Sequence, residues 1–192
     1  KLLPDVLASA DERSKADEKT VEQARAVRGH ARALSAGPKV STRSWVDLRK
    51  CLGETQDRVR ALGIVSAATG YDPLPKQLKF HLAAAPGQRV SKFFCGGIGT
   101  GKSTCAMVED IIVALCNPGT RALVVAPTYD QALHVLLPIF LRICEQMERA
   151  GFPILRKFRW SQMRAELVCG GEFFFRSVSK VDNLLGFEFA LI

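Results

Sequence analysis

The spacing of apolar residues changes along the chain, and each change predicts a different element. In residues 1–40 the apolar side chains are sparse but keep a helical period, at Val21, Ala24, Val27, Ala31 and Leu34. This pattern predicts a solvated helix that ends at Gly37-Pro38, or a docking helix for a partner. A second helical segment follows, with Ser44 as its N-cap.

After Tyr71 the apolar residues form short continuous runs that alternate with amphipathic stretches. The order is strand, helix, strand, helix, and the predicted ranges are 90–95, 102–116, 121–127 and 131–150. Pro138 lies inside the last helix and predicts a kink there. Two β-rich runs flank Gly170-Gly171, which indicates a hairpin, and a final apolar strand covers 187–192. The alternation predicts an α/β fold with a parallel sheet flanked by helices.

These patterns divide the chain into a helical, partly flexible N-terminal extension (1–65) and an α/β domain (66–192). A chain of 192 residues, of which 47% are hydrophobic, is large and apolar enough to form one hydrophobic core. No apolar run is long enough to span a membrane, and the six scattered cysteines favour a reduced, cytoplasmic protein. The net charge of +8 permits a polyanionic partner such as DNA.

The loop between the strand predicted at 90–95 and the helix predicted at 102–116 is the clearest candidate for a functional site. Its sequence, CGGIGTGKST, matches the Walker A pattern G-x-x-x-x-G-K-[ST] from Gly96 to Ser103. Glycines let backbone N–H groups turn toward phosphate oxygens, and the helix N-terminus adds partial positive charge. Lys102 would reach the β- and γ-phosphates, Ser103 would ligate Mg²⁺, and Thr104 would support the α-phosphate. We predict a nucleotide-binding phosphate loop, and its nucleotide-binding residues are Gly96, Gly97, Ile98, Gly99, Thr100, Gly101, Lys102, Ser103 and Thr104.

A second segment, YDPLPKQLKFH, precedes this loop and starts at Tyr71. The amide of Gln77 can donate to and accept from the adenine edge, and the aromatic ring of Tyr71 can cover the base. This interpretation selects ATP over GTP. The same residues also fit a proline-rich linker that leads into a helix.

Taken in order, four stretches resemble the N-terminal ATPase domain of the large terminase subunit of tailed phages. They are YDPLPKQLKFH, FFCGGIGTGKST, NPGTRALVVAPTYDQ and ELVCGGEFFFRSVSKVDNLLGFEFALI, and they cover residues 71–192. The resemblance implies a P-loop NTPase fold of the additional-strand type, with ATP and Mg²⁺ as ligands and Lys102 as a catalytic residue. It also implies a homo-oligomeric ring that works in the host cytoplasm with the portal, the small terminase subunit and duplex DNA, and a nuclease domain further along.

The sequence departs from the family pattern at several positions. Ile98 and Leu185 stand where many members have arginine, so the arginine finger is unassigned, with Arg159, Arg164 and Arg176 as candidates. The Walker B carboxylates should follow the strand that ends at Ile192. The resemblance therefore implies an ATPase in the full-length protein, while this chain alone would be inactive.

Two further functions fit the same residues. A helicase-like, DNA-dependent ATPase also places a glutamine segment before its phosphate loop. A non-enzymatic ATP-binding module would instead use its N-terminal helices to bind a partner.

The remaining candidate side chains favour structural roles. The three histidines, His30, His81 and His134, are too far apart in sequence to indicate a metal cluster. Trp45, Trp160 and the run 173–175 are expected to pack rather than to stack on bases. The basic-aromatic stretch 156–160 indicates a solvated hairpin edge, with contact to DNA as the alternative.

Overall fold

The computed structural model describes residues 57–83 and 90–178, together with four exposed helical positions upstream, Glu18, Glu22, Arg25 and Arg49. Most of the predicted N-terminal helix, the Ser44 cap and the strand at 187–192 lie outside the described residues. The division at residue 65 stays a prediction. Within the described ranges, no helix is long and apolar enough to cross a membrane.

Three helices surround the glycine-rich loop. Helix α1 covers Arg58–Thr69, α2 covers Pro75–Leu82 and α3 covers Lys102–Cys116, the range predicted from the sequence. Helix α1 begins where the Asp57 carboxylate accepts the Val59 N–H at 2.8 Å, and it ends at Gly70 in the left-handed conformation. Helix α1 packs against α3, so its apolar side chains contribute to the core.

The helix predicted at 131–150 forms in three parts. It begins as an α-turn at Tyr129–Gln131, widens to a π-helix at Ala132–Leu136, and continues as α4 at Leu137–Arg149. The kink predicted at Pro138 stays a prediction; the described irregularity is this π-turn, which ends before the proline. Proline lacks an N–H and its ring crowds the carbonyl of the preceding turn, so a wider turn before it relieves the clash.

Four strands form one mixed sheet, in the order β1, β4, β3, β2. Their ranges are Arg121–Ala126 (β1), Leu155–Arg159 (β2), Arg164–Leu167 (β3) and Glu172–Ser177 (β4). The strand β1 and the hairpin of β3 and β4 around Gly170-Gly171 confirm the sequence predictions.

For the described strands the expectation of a parallel sheet is wrong, because β1 and β4 pair in parallel whereas the other two described pairings are antiparallel. Strands β2, β3 and β4 follow one another through connections of a few residues. Connections that short can join only antiparallel neighbours, whereas the long excursion through α4 lets β4 return parallel to β1.

The buried strand predicted at 90–95 is also wrong. These residues are extended but pair with none of the four described strands, and Phe93 is 89% exposed. An apolar run becomes a buried strand only when a neighbouring strand and a covering layer are present. Here Phe94 instead packs beside Phe80, with ring centroids 5.4 Å apart.

The core lies between the helices and one face of the sheet. The ring of Phe140 on α4 lies 5.1 Å from that of Phe173 and 5.4 Å from that of Phe175. All three side chains are fully buried, and Phe174 is nearly so, which confirms the packing role expected for 173–175. The described cysteines are free thiols, and all except Cys95 are buried.

The hairpin supplies a test of this fold. Gly170 has φ 78° with open space around the position of a Cβ, so backbone conformation alone should oppose a side chain there. We expect Gly170→Ala to lower the free energy of unfolding by about 1 kcal/mol in urea titrations. Gly170→Asn should lower the free energy of unfolding by a smaller amount, since asparagine tolerates a left-handed backbone conformation. Equal losses for the two variants would contradict the hairpin geometry.

Candidate functional site

The glycine-rich loop is an exposed turn that leads directly into α3. Gly99 and Gly101 have φ values of 79° and 73°, which L side chains rarely adopt. The Thr100 hydroxyl donates to the carbonyl oxygen of Gly97 at 2.9 Å, and Ile98 is fully exposed at the tip. The loop therefore presents its backbone to solvent at the N-terminus of a 15-residue helix, as anion binding requires.

Lys102 is the first residue of α3 and folds back across the loop. Its ammonium group donates to the Gly97 carbonyl oxygen at 2.6 Å. A bound phosphate could replace that carbonyl as the acceptor without moving the helix. Ser103 is exposed in the first turn, and Thr104 beside it is half-buried. The structure thus gathers the predicted residues 96–104 in one loop and helix start.

Among the described residues, no group of three or more acidic, histidine or cysteine side chains could hold a metal ion. The Walker A pattern assigns Mg²⁺ to the Ser103 hydroxyl. That assignment stays a prediction.

Gln77 contacts the loop, and the Tyr71 hydroxyl lies beside Gln77. The amide nitrogen of Gln77 donates to the carbonyl oxygen of Thr100 at 3.2 Å, and its oxygen accepts the Leu74 N–H at 2.9 Å. The side chain is only 5% exposed. Backbone groups of the protein therefore use this amide, and its contact with adenine stays a prediction.

A buried ionic cluster lies behind the loop, and sequence analysis missed it. Glu109 on α3 accepts from His81 Nδ1 at 2.9 Å and from Lys92 Nζ at 2.6 Å, and it pairs with Arg58. His81 is 1% exposed and Glu109 is 5% exposed. The sequence signal was a glutamate, followed by Asp110, between apolar residues of α3, but the partners come from three other parts of the chain.

The cations of this cluster also hold the C-terminal end of α2. Arg58 donates to the carbonyl oxygen of His81 at 2.8 Å, and Lys92 donates to that of Phe80 at 2.7 Å. Helix ends leave carbonyl groups without partners inside the helix, and positive charge stabilises them. The same two cations therefore stabilise both the carboxylate and the helix end.

The electrostatics follow from burial and from these contacts. Burial by itself would raise the pKa of Glu109, but the hydrogen bond from His81 and the charges of Arg58 and Lys92 outweigh it, so the pKa is lowered. Burial lowers the pKa of Lys92, although Glu109 opposes that shift. Burial raises the pKa of the Tyr71 phenol well above its usual range. Glu109 is thus an ionised acceptor, while Tyr71 keeps its proton.

The arginines proposed for transition-state stabilisation are held within the sheet. Arg159 donates to Glu166 at 2.6 Å, Arg164 pairs with Glu172, and Arg176 donates to the Gln162 carbonyl oxygen at 2.8 Å. Their assignment as an arginine finger stays a prediction.

The other residues considered in the sequence are dispersed. His134 is exposed in the π-turn. The burial expected of Trp160 is wrong: its side chain follows an edge strand and is 62% exposed, with its ring 4.6 Å from that of Phe158. His30 and Trp45 lie outside the described residues.

The architecture is an α/β fold with a four-stranded mixed sheet flanked by helices and a glycine-rich loop at the start of α3. The chain is similar to the protein named terminase, large subunit, of Thermus phage G20c and to that of Thermus virus P23-45. Each is 33% identical over 134 residues, which cover 61% of this chain and 26% of the relative. These matches confirm the resemblance to the large terminase subunits of tailed phages. The matched region spans about a quarter of those relatives.

No protein-family model matches the sequence. No solved structure matches it significantly either.

The cluster makes a testable contribution to stability. Glu109→Gln would leave Arg58 and Lys92 buried without a counter-charge, so we expect the free energy of unfolding to fall by about 3 kcal/mol in chemical denaturation. The matched control is Glu145→Gln, which breaks an exposed pair with Arg149 within α4. That variant should lose no more than about 0.5 kcal/mol. Equal losses for the two variants would contradict the role of the buried carboxylate.

The lowered pKa of Glu109 predicts how this contribution depends on pH. A carboxyl group whose pKa is lower in the folded state stabilises the fold above its unfolded pKa of about 4.3. The contribution is lost as the pH falls through the lower folded value. Burial and the neighbouring Glu109 raise the pKa of Asp110 to about 7, so the substitution also alters that group near neutrality. The contribution of Glu109 itself is read in acid, where the stability difference between the wild type and Glu109→Gln should narrow below about pH 4. Denaturation midpoints measured across this range test the direction of the change. A stability difference that widens in acid would contradict the lowered pKa of Glu109.

Proposed function

We propose that this chain is the ATP-binding portion of a viral DNA-packaging motor. The loop would bind the triphosphate of Mg·ATP, with Lys102 on the β- and γ-phosphates, Ser103 on Mg²⁺ and Thr104 near the α-phosphate. In the full-length protein, ATP hydrolysis would be coupled to translocation of duplex DNA into a procapsid. The similarity to two large terminase subunits supports the packaging role.

The observation that carries the nucleotide assignment is the geometry of the loop. Two glycines with positive φ, an exposed backbone and a lysine at the start of α3 are the features that phosphate binding needs. The ammonium group of Lys102 already sits on the oxygen of a loop carbonyl, where a phosphate oxygen would compete for it. A glycine-rich turn without a ligand has no need of that lysine.

The proposed partners follow from the family. Subunits would form a ring that contacts the portal and the small terminase subunit in the host cytoplasm, and a nuclease domain would cut the DNA. The face of the sheet opposite α4 carries Arg164 and Arg176, both over the Phe174 ring. The adjoining stretch 156–160 is basic, so this side of the domain supports a contact with DNA phosphates.

Nucleotide binding is tested by removing the ammonium group. We expect Lys102→Ala to weaken Mg·ATP binding by about 10- to 100-fold in calorimetric titrations, because a charged hydrogen bond to phosphate is lost. Lys76→Ala is the matched control, since this exposed lysine lies on α2 and should leave the affinity unchanged. Equal affinity for Lys102→Ala and the wild type would contradict the proposal. ATP hydrolysis by the full-length protein should be lost in the same variant.

A further inference from the structure

The amide of Gln77 connects the start of α2 to the phosphate loop. Its oxygen faces the Leu74 N–H, which can only donate, and its nitrogen faces the Thr100 carbonyl oxygen, which can only accept. These two backbone groups determine which way the amide points. Because Gln77 is 5% exposed, water offers little competition for either bond.

The contact lies where the loop becomes a helix. A Cβ on Gly101 would approach the Gln77 amide nitrogen to 3.3 Å, and the backbone there has a positive φ. Thr100, whose carbonyl accepts from Gln77, also holds the Gly97 carbonyl through its hydroxyl. Lys102 donates to that same Gly97 oxygen. A shift of Gln77 would therefore displace the Thr100 carbonyl and, with it, the loop groups that would contact a phosphate.

Gln77 is in turn supported from behind. The Tyr71 hydroxyl lies 3.4 Å from the Gln77 amide oxygen and 3.0 Å from His81 Nε2. The single hydrogen of the Tyr71 hydroxyl can be donated either to the Gln77 oxygen or to His81 Nε2. His81 Nδ1 in turn faces Glu109 at 2.9 Å. Glu109 belongs to α3, the helix that begins at the loop. Polar contacts therefore link α3, α2 and the loop.

We propose that Gln77 is a positioning residue of the phosphate loop, supported by Tyr71, His81 and Glu109. It acts on triphosphate binding through the Thr100 carbonyl and not by reading the base. The proposal rests on the function proposed above and assigns Gln77 a role different from adenine recognition.

Ligands that share the triphosphate but differ in the base separate the two roles. We expect Gln77→Met, which removes both hydrogen bonds at similar size, to weaken Mg²⁺ complexes of ATP, GTP and inorganic tripolyphosphate by the same factor, about 10-fold. Calorimetric titration of each ligand measures this factor. A loss confined to ATP, with tripolyphosphate unchanged, would overturn the proposal in favour of base reading. Unchanged binding of all three would also overturn it.

A control variant and the wild type together separate failure of this inference from failure of the proposed nucleotide function. Lys76→Met places the same side chain at the exposed neighbouring position and should bind all three ligands as the wild type does. If the wild type binds none of them, the proposed nucleotide function fails and this inference fails with it.

A second measurement covers the case in which Gln77→Met folds poorly. Tyr71→Phe keeps the ring but removes the hydroxyl between Gln77 and His81, so a smaller loss in the same direction is expected for all three ligands. The Cys105 N–H donates to the Gly101 carbonyl oxygen at 2.8 Å, and its hydrogen exchange without ligand should be faster in both variants than in Lys76→Met. Exchange that matches the wild type in Tyr71→Phe and in any folded Gln77→Met would contradict a positioning role.

Discussion

The carboxylate of Glu109 is the interaction on which the arrangement around the loop depends. It lies at the middle of α3, and its partners come from α1, α2 and the segment before the loop. A buried carboxylate is costly unless several donors surround it, and here three cationic or polar groups do so. Because each partner belongs to a different element, the requirement to pair one charge holds those elements at defined positions around α3.

This arrangement explains how an exposed, glycine-rich loop keeps a defined shape. The loop itself has few internal contacts, chiefly those of Thr100 and Lys102 with the Gly97 carbonyl. The position of the loop depends instead on the helices around it. Helix α2 contacts the loop through Gln77 and contacts α3 through His81, four residues later and on the same face. A loop held this way has its backbone groups organised before a ligand arrives, which lowers the entropic cost of binding.

Local sequence patterns predicted much of the fold. The range of α3, the strand β1 and the hairpin at Gly170-Gly171 all follow from apolar period and turn residues. These signals act over a few residues, so one sequence suffices to read them. The parallel sheet and the strand at 90–95 were predicted wrongly, because pairing direction and burial depend on which distant segments become neighbours. The glycine-rich loop was a candidate site from the sequence alone because its pattern lies in consecutive residues.

The sequence by itself determined the loop, its lysine and the helix that follows, since a motif of adjacent residues carries its geometry in local backbone preferences. Only the tertiary structure decided what surrounds that motif. The cluster of Arg58, His81, Lys92 and Glu109 joins residues up to 51 positions apart, and no local pattern links them. The same holds for the amide of Gln77, whose partners on the loop become visible only once α2 is packed. Such ion pairs form between groups that are distant in the sequence, and only the folded chain brings these groups into contact.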